Sequence, residues 1–456
     1  MSERALLVTR AQVRGAVVDV RIDGGRITAI GDDLATDGAA TLDAGGGALV
    51  PGLHDHHLHL LAMAAARRSL DAAVLPDGAA LDAAVSRRHV DREGDRWLRI
   101  VGIDDRHGPV DRARLDALAP GRRVRAQHRS GAAWVLSSPA LAAVGEEVDD
   151  GWIHRRDAEL GRRWADDAPD LAPIGAELAR LGVTGATDAT PFDDPSALTL
   201  LAAAHGAGAL PQRIVATGSP ALATIRAPHG VERGPVKVLV ADEDLPSVEQ
   251  LAGWFRIAHD AGRPVAVHCV TRLGLVLALA AWEDAGAADG DRIEHGSVLP
   301  IELLATVAEL GLTVVTQPAL LRARGDAYLV DVDPDDVDHL YRCGSLIDAG
   351  IPVGLSTDAP FGPADPWLAI AAATDRRSSS GQVVGGGEAI AATDALDRLL
   401  TAPSAPGGPP RRVEVGAPAD LVLLDRPLAE ALADPSAERV RRTWIGGSLV
   451  HDGDPG

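Results

Sequence analysis

Leu49-Val50-Pro51-Gly52-Leu53-His54-Asp55-His56-His57-Leu58-His59 opens as an apolar β-run and ends in histidines where the run gives way to a loop. Alternation along a strand puts Asp55, His57 and His59 on one face, and His54 and His56 on the other. Two imidazoles two residues apart on a strand can share one metal ion, with ring nitrogens at about 2.0–2.1 Å from zinc. Taken alone, an H-x-H is more often a strand end with satisfied histidines. The rest of the chain changes that balance.

Seven further β-runs follow: Val183–Ala189, Gln212–Thr217, Val236–Ala241, Pro264–Cys269, Arg292–His295, Thr313–Gln317 and Pro352–Asp358. Helical patterns fall between them at Asp170–Leu181, Val248–Ala261, Leu273–Ala285, Ile301–Leu310 and Asp335–Ala349. Strands alternating with helices predict a parallel sheet, and eight of them favour a (β/α)8 TIM barrel over an open sheet. Three later runs also end in a metal-competent side chain: His268 on the fifth, His295 on the sixth and Asp358 on the eighth. Active sites of such barrels sit at the C-terminal ends of the strands. One buried His is commonly packing, and one strand-end Asp is commonly a helix cap. Four such coincidences on one rim read as a metal site.

Lys237 alternates with valines in Pro235-Val236-Lys237-Val238-Leu239-Val240, so it faces the barrel interior together with Leu239. A free ammonium cannot bind a metal, whereas a carboxylated lysine can bridge two. The competing reading is an interior lysine paired with an acid such as Asp358, because an unpaired buried ammonium is costly.

Both chain ends are β-rich. Ala5–Thr9, Ala16–Ile22 and Arg26–Ile30 surround the Gly24-Gly25 turn, and Ala419–Leu424 and Arg441–Ile445 precede or flank Gly446-Gly447. This predicts a small β-sandwich domain built from residues 1–52 and 406–456 around a barrel spanning 53–405. Thr401–Pro410 is rich in Pro and Gly and reads as a linker or loop. Between the first two barrel strands lie about 120 residues, too many for a bare loop. An insertion at about 61–181 with structure of its own is expected, part of it over the barrel mouth.

Lys and Arg total 44 against 65 Asp and Glu, a net charge of −21 that argues against a nucleic-acid partner. Cys269 and Cys343 make no disulfide framework, so a reducing compartment is the simpler reading. The N-terminus lacks the apolar core of a signal peptide, and no uncharged apolar run approaches the roughly 20 residues of a membrane helix. The expectation is a cytoplasmic protein that acts on a small molecule without a membrane, with a homodimer as the default assembly.

Pro51–His59 resembles the opening PG-x-x-D-x-H-x-H of the amidohydrolase superfamily, and His268, His295 and Asp358 follow in that superfamily's order. The chain is most similar to the branch containing N-substituted formamide deformylase and related exo-type amidohydrolases. Trp97–Asp104, Trp134–Gly145, Gln317-Pro318, Ser356–Pro360 and Val415–Leu421 each resemble a segment of that branch. The resemblance implies His57, His59, His268 and His295 as metal ligands, Asp358 as ligand and proton carrier, and Lys237 as a carboxylated bridge. It implies one or two Zn2+ ions and hydrolysis of a C–N bond in an amide, formamide, carbamate or cyclic amide. The sequence departs from the branch at Cys269–Arg272, at Ser130-Gly131-Ala132 where a D-G-H stands, at Leu136 where an Asn stands, and at Asp242-Glu243. His128 or Arg129 is a candidate substitute for the polar group missing at 130–132.

Arg272 and Arg129 are candidates for an anionic substrate group, against the alternative of solvated surface arginines. Deamination is the nearest rival reaction, weakened because residues 269–272 lack the Glu that deaminases of the superfamily tend to carry there. Ester or lactone hydrolysis would use the same centre, and a non-catalytic barrel scaffold is the rival of a different class.

Overall fold

Eight strands of the computed structural model form one parallel sheet in sequential order: Leu53–Leu58, Val183–Asp188, Arg213–Gly218, Val231–Leu239, Val265–Cys269, Arg292–His295, Thr313–Thr316 and Val353–Leu355. The structure describes residues 5–90, 97–129, 133–154, 169–240 and 245–454. Every residue of the first two strands is buried, as expected of strands covered on both faces. The eighth strand returns to the first just beyond their ends. Asp358 N–H donates to His57 O at 2.8 Å and His59 N–H donates to Ala359 O at 2.8 Å. The curved sheet is therefore drawn together at the rim that carries the candidate ligands, as a TIM barrel requires.

Helices pack outside it, two of them through apolar stripes. Val248–Asp260 begins at a capping box, Ser247 with Gln250, and buries Leu251, Ala252, Phe255 and Ala258. Arg272–Ala285 is capped by Thr271, and its Trp282 ring lies 5.0 Å from that of Phe255. Pro195–Gly206, Ala319–Asp331, Pro366–Asp375 and Ala392–Leu399 add further helices of this layer.

Two four-stranded sheets come from the chain ends. One contains Leu6–Val13, Ala16–Asp23, Arg26–Gly31 and Ala40–Asp43; the other contains Leu49–Pro51, Leu421–Leu424, Val440–Ile445 and Ser448–Asp452. Their inner faces share a core that includes Val8, Val20, Ile27, Leu49, Leu421, Leu423 and Trp444. This is the expected sandwich.

The structure revises four local readings. The run Leu49–His59 is two strands, because the chain changes sheets at Gly52. Leu49–Pro51 pairs with Leu421–Leu423, and Leu53 enters the barrel beside Val183. A Cβ at Gly52 would lie 2.1 Å from the Thr184 side chain, so only glycine permits this crossing. Thr401–Pro410 is no linker: Thr401–Ala402 and Ala405–Pro410 pair as a hairpin. Its Gly407 lies so close to the eighth strand that a Cβ would sit 2.2 Å from Val353 N. Asp335–Ala349 is not one helix but a short turn, Val337–His339, and a short helix, Gly344–Asp348. The intervening Leu340 bridges to Val298, and Tyr341 N–H donates to Ser297 O at 2.9 Å. Leu239, expected beside Lys237 in the interior, is 50% exposed at the end of its strand.

Residues 61–170 form a compact unit of their own. Its five-stranded sheet runs in sequence order through Leu70–Asp71, Leu98–Ile103, Val124–His128, Ala133–Leu136 and Trp152–His154. Gly78–Val90 and Arg112–Leu118 cover one core, which includes Leu81, Val85, Ile100, Leu115 and Val124. Ser130–Ala132 and Ala241–Glu243, singled out in the sequence, lie outside the described residues.

Candidate metal centre

The strand ends bring His57, His59 and Asp358 together, each offering a ligand atom within 4.8 Å of the others. Asp358 Oδ1 lies 3.5 Å from His57 Nε2 and 3.2 Å from His59 Nε2. The His295 ring is centred 4.7 Å from that of His57, and the His268 ring 4.6 Å from that of His295. All four predicted histidines and the predicted aspartate therefore meet at one end of the barrel. His54 and His56 face away, as alternation requires. Their Nε2 atoms lie 2.9 Å and 2.8 Å from Thr187 Oγ1 and Thr401 Oγ1.

Three of these rings are fixed through Nδ1. His57 Nδ1 is bonded to the buried Glu294 carboxylate, His59 Nδ1 lies 2.9 Å from Thr190 Oγ1, and His295 Nδ1 lies 2.8 Å from Gln317 Oε1. With Nδ1 as donor, the lone pair of each imidazole is left on Nε2. His57 Nε2 is buried and makes no hydrogen bond among the described residues. Gln317 is itself oriented, its Nε2 donating to Ser356 Oγ at 2.9 Å.

Backbone strain accompanies the site. His295 has φ 70° and Asp358 has φ 57°, left-handed values that side chains with a Cβ adopt at a cost. At His295 the consequence is visible. Adjacent residues on a regular strand face opposite ways, yet Glu294 bonds to His57 and the His295 ring also stands beside His57. At Asp358 the turn leaves the strand after Leu355 and carries the carboxylate back over the rim.

The electrostatics suit a cation. Burial, followed by the nearby Lys237 charge, pushes His57 down to about 4 and His268 down to about 3. Burial and then His57 hold His295 well below its ordinary value. Burial raises the Asp358 carboxyl, but the close contact with His59 and the surrounding histidines outweigh it and hold it below the usual carboxylate range. His57, His268 and His295 are thus neutral imidazoles beside an ionised carboxylate, the states a metal requires.

Lys237 is 2% exposed, and its Nζ has no hydrogen-bond partner among the described residues. It is not hydrogen-bonded to Asp358. Burial pushes it down to about 8, against the attraction of Glu294. Burial also opposes ionisation of Glu294, yet Arg292, Lys237 and His57 hold it well below the ordinary range.

Sequence reading missed Glu294, Gln317, Thr190 and Asp188. The interior parity shared by Arg292 and Glu294 was the available signal for the first; Asp188 and Thr190 look like ordinary strand-end caps. Of the three substrate candidates, one lies in the barrel and two in the 61–170 unit. Arg272 opens the helix after the fifth strand, with its guanidinium engaged by Glu302 at 2.7 Å and Asp336 at 2.5 Å. His128 ends a strand of the 61–170 unit and lines a cavity of about 400 Å³ with Asp104, Asp111, Asp150 and Trp152. Arg129 follows it, exposed.

A (β/α)8 barrel with this donor set at its C-terminal rim is the architecture of a barrel protein with a candidate metal centre. The amidohydrolase family model matches residues 40–451, and the chain belongs to that family. N-substituted formamide deformylase of Arthrobacter pascens is 25% identical over 98% of each chain. An uncharacterized metal-dependent hydrolase from Pyrococcus horikoshii shares the fold with a TM-score of 0.78 and 21% identity, covering 95% of this chain and 100% of the other. N-isopropylammelide isopropylaminohydrolase from Burkholderia multivorans aligns with a TM-score of 0.56 and 19% identity over 98% of each chain.

Proposed function

We propose that the chain is a metal-dependent amidohydrolase that cleaves a C–N bond in an amide, formamide, carbamate or cyclic amide. The observation that carries this reading is the set of imidazoles tied at Nδ1, with Nε2 free, around an ionised Asp358. Two buried nitrogens without hydrogen bonds, His57 Nε2 and Lys237 Nζ, fit a cation-binding role better than a purely structural one. His57, His59, His268, His295 and Asp358 would hold one or two divalent ions, with zinc the metal best suited to the imidazole-rich set. Lys237 joins them as a bridge if its neutral amine is carboxylated by CO2, releasing a proton as the carbamate forms.

A bound ion supplies polarisation of the substrate carbonyl and a water acidified toward a pKa of about 7. Asp358 Oδ accepts the proton that the attacking water loses and returns it to the leaving nitrogen, so the carboxylate ends the cycle ionised. His59 Nε2, 3.2 Å from Asp358 Oδ1, faces the same centre as that carboxylate. Arg129, His128 and Arg272 stay candidates for substrate contact, but Arg272 would serve an anionic group only by giving up Glu302 and Asp336. Residues 1–52 and 406–456 are proposed as one composite domain, and 53–405 as the barrel with its insertion. The setting proposed is cytoplasmic, with a homodimer as the default assembly.

The test is hydrolysis of an N-acyl, formamide and cyclic-amide panel before chelation, after it, and after Zn2+ is restored. Activity on at least one C–N substrate that is lost and regained supports the reading. Turnover that survives chelation, or is confined to esters and lactones, contradicts it.

A further inference from the structure

The groups holding the three rings differ in kind: a carboxylate for His57, a carboxamide for His295 and a hydroxyl for His59. A neutral hydroxyl is a weaker hold than a charged partner. His59 also lies past the end of its strand, Leu53–Leu58, where its own N–H is held by Ala359 O but the regular ladder has ended. Asp188 compensates. It ends the second strand, fully buried, and its two oxygens hold both sides of the His59 contact. Asp188 Oδ2 accepts from the N–H of Leu60, the residue after His59, at 3.0 Å. Asp188 Oδ1 accepts from the N–H of Thr190 at 3.0 Å, and Thr190 Oγ1 in turn lies 2.9 Å from His59 Nδ1. The carbonyl of Thr190 is anchored by Thr217 Oγ1 at 2.8 Å. Burying a carboxylate is costly, and two peptide N–H groups do not by themselves call for one. The cost is explained if the arrangement has to be stiff.

We propose that Asp188 and Thr190 act as a positioning pair, fixing the rotamer and tautomer of His59 so that Nε2 faces Asp358, and thereby setting the affinity of the centre for a divalent ion. This rests on the metal-binding reading of the site. His59 Nδ1–H donates to Thr190 Oγ1, which leaves the lone pair on Nε2. Asp188 keeps Thr190 and the His59–Leu60 peptide in fixed register, so the ring is held in place.

The experiment compares the full-length parent with Thr190→Val, Thr190→Ser and Asp188→Asn. Zn2+ affinity is measured by competition with a chromophoric chelator, and the visible spectrum is recorded after Co2+ loading. Thr190→Val should weaken Zn2+ binding by about 10–100-fold and shift the Co2+ bands, with its metal-free unfolding midpoint unchanged. Thr190→Ser should restore both affinity and spectrum, and Asp188→Asn should weaken binding in the same direction. Parent-like affinity and an unshifted Co2+ spectrum in Thr190→Val would overturn the proposal. A parent that takes up no Zn2+ would instead overturn the metal reading beneath it, so the two failures are distinguishable.

Discussion

Replacing Glu294 by Gln removes one negative charge from a region where burial leaves little room for compensation. Glu294 is fully buried and is bonded to His57 and, at 2.7 Å, to Arg292 Nε. In the metal-free chain its negative charge and that of Asp358 face the positive charges of Arg292 and Lys237, two against two. Glutamine keeps the shape but leaves a net positive charge among groups that are at most 8% exposed. Removing one partner of a buried pair costs about 3–5 kcal/mol, because the other charge stays buried. His57 also exchanges a carboxylate for a carboxamide at Nδ1, which should weaken metal binding by about 10–100-fold. The two effects separate experimentally. Urea unfolding of metal-free protein in CO2-depleted buffer reads the first, and Zn2+ titration of the folded protein reads the second. An unchanged metal-free midpoint for Glu294→Gln would refute the charge argument, whatever the metal affinity.

Acid should destabilise the metal-free protein through His54 and His56. Burial holds His54 well below 6.5 and pushes His56 down to about 3, so below pH 6.5 the unfolded chain binds protons that the folded chain does not. Their contribution is full above pH 6.5 and is lost as pH falls below it, for His56 down to about 3, with a slope of at most about 1.4 kcal/mol per pH unit for each histidine. Urea midpoints at pH 7, 6 and 5 should fall in order, and a flat series would contradict the buried neutral state. Gly253→Ala, in the helix Val248–Asp260 with open space where the Cβ would stand, should stabilise by about 1 kcal/mol. Gly52→Ala should abolish soluble expression or lower the midpoint sharply because of the Thr184 clash, and equal midpoints for the two variants would refute the close-approach argument.

Much of this architecture is written locally. Barrel strands buried on both faces read as continuous apolar runs, so Val265–Cys269 is visible without a structure. His57, His268, His295 and Asp358 stand out because metal-competent side chains end four separate runs. What escaped depends on contacts far apart in sequence or on backbone states that composition does not encode. Gly52 divides one apolar run between two sheets because Thr184 lies against it. Glu294 and His295 reach the same imidazole only because His295 is left-handed. Asp188 and Thr190 reveal their role through His59, more than a hundred residues earlier in the chain. Ala319–Asp331 has its buried side chains concentrated in its first turn, at Ala319, Leu320 and Leu321, so no helical stripe announces it.

The central claim is that these side chains form a metal centre, and elemental analysis of protein purified without added metal tests it most directly, with His268→Ala alongside. The account predicts one or two equivalents of a divalent ion in the parent and less in the variant. Two equivalents would support Lys237 as a bridge, and one would assign it to a lone buried amine. No metal in the parent, even after reconstitution with Zn2+, would contradict the account.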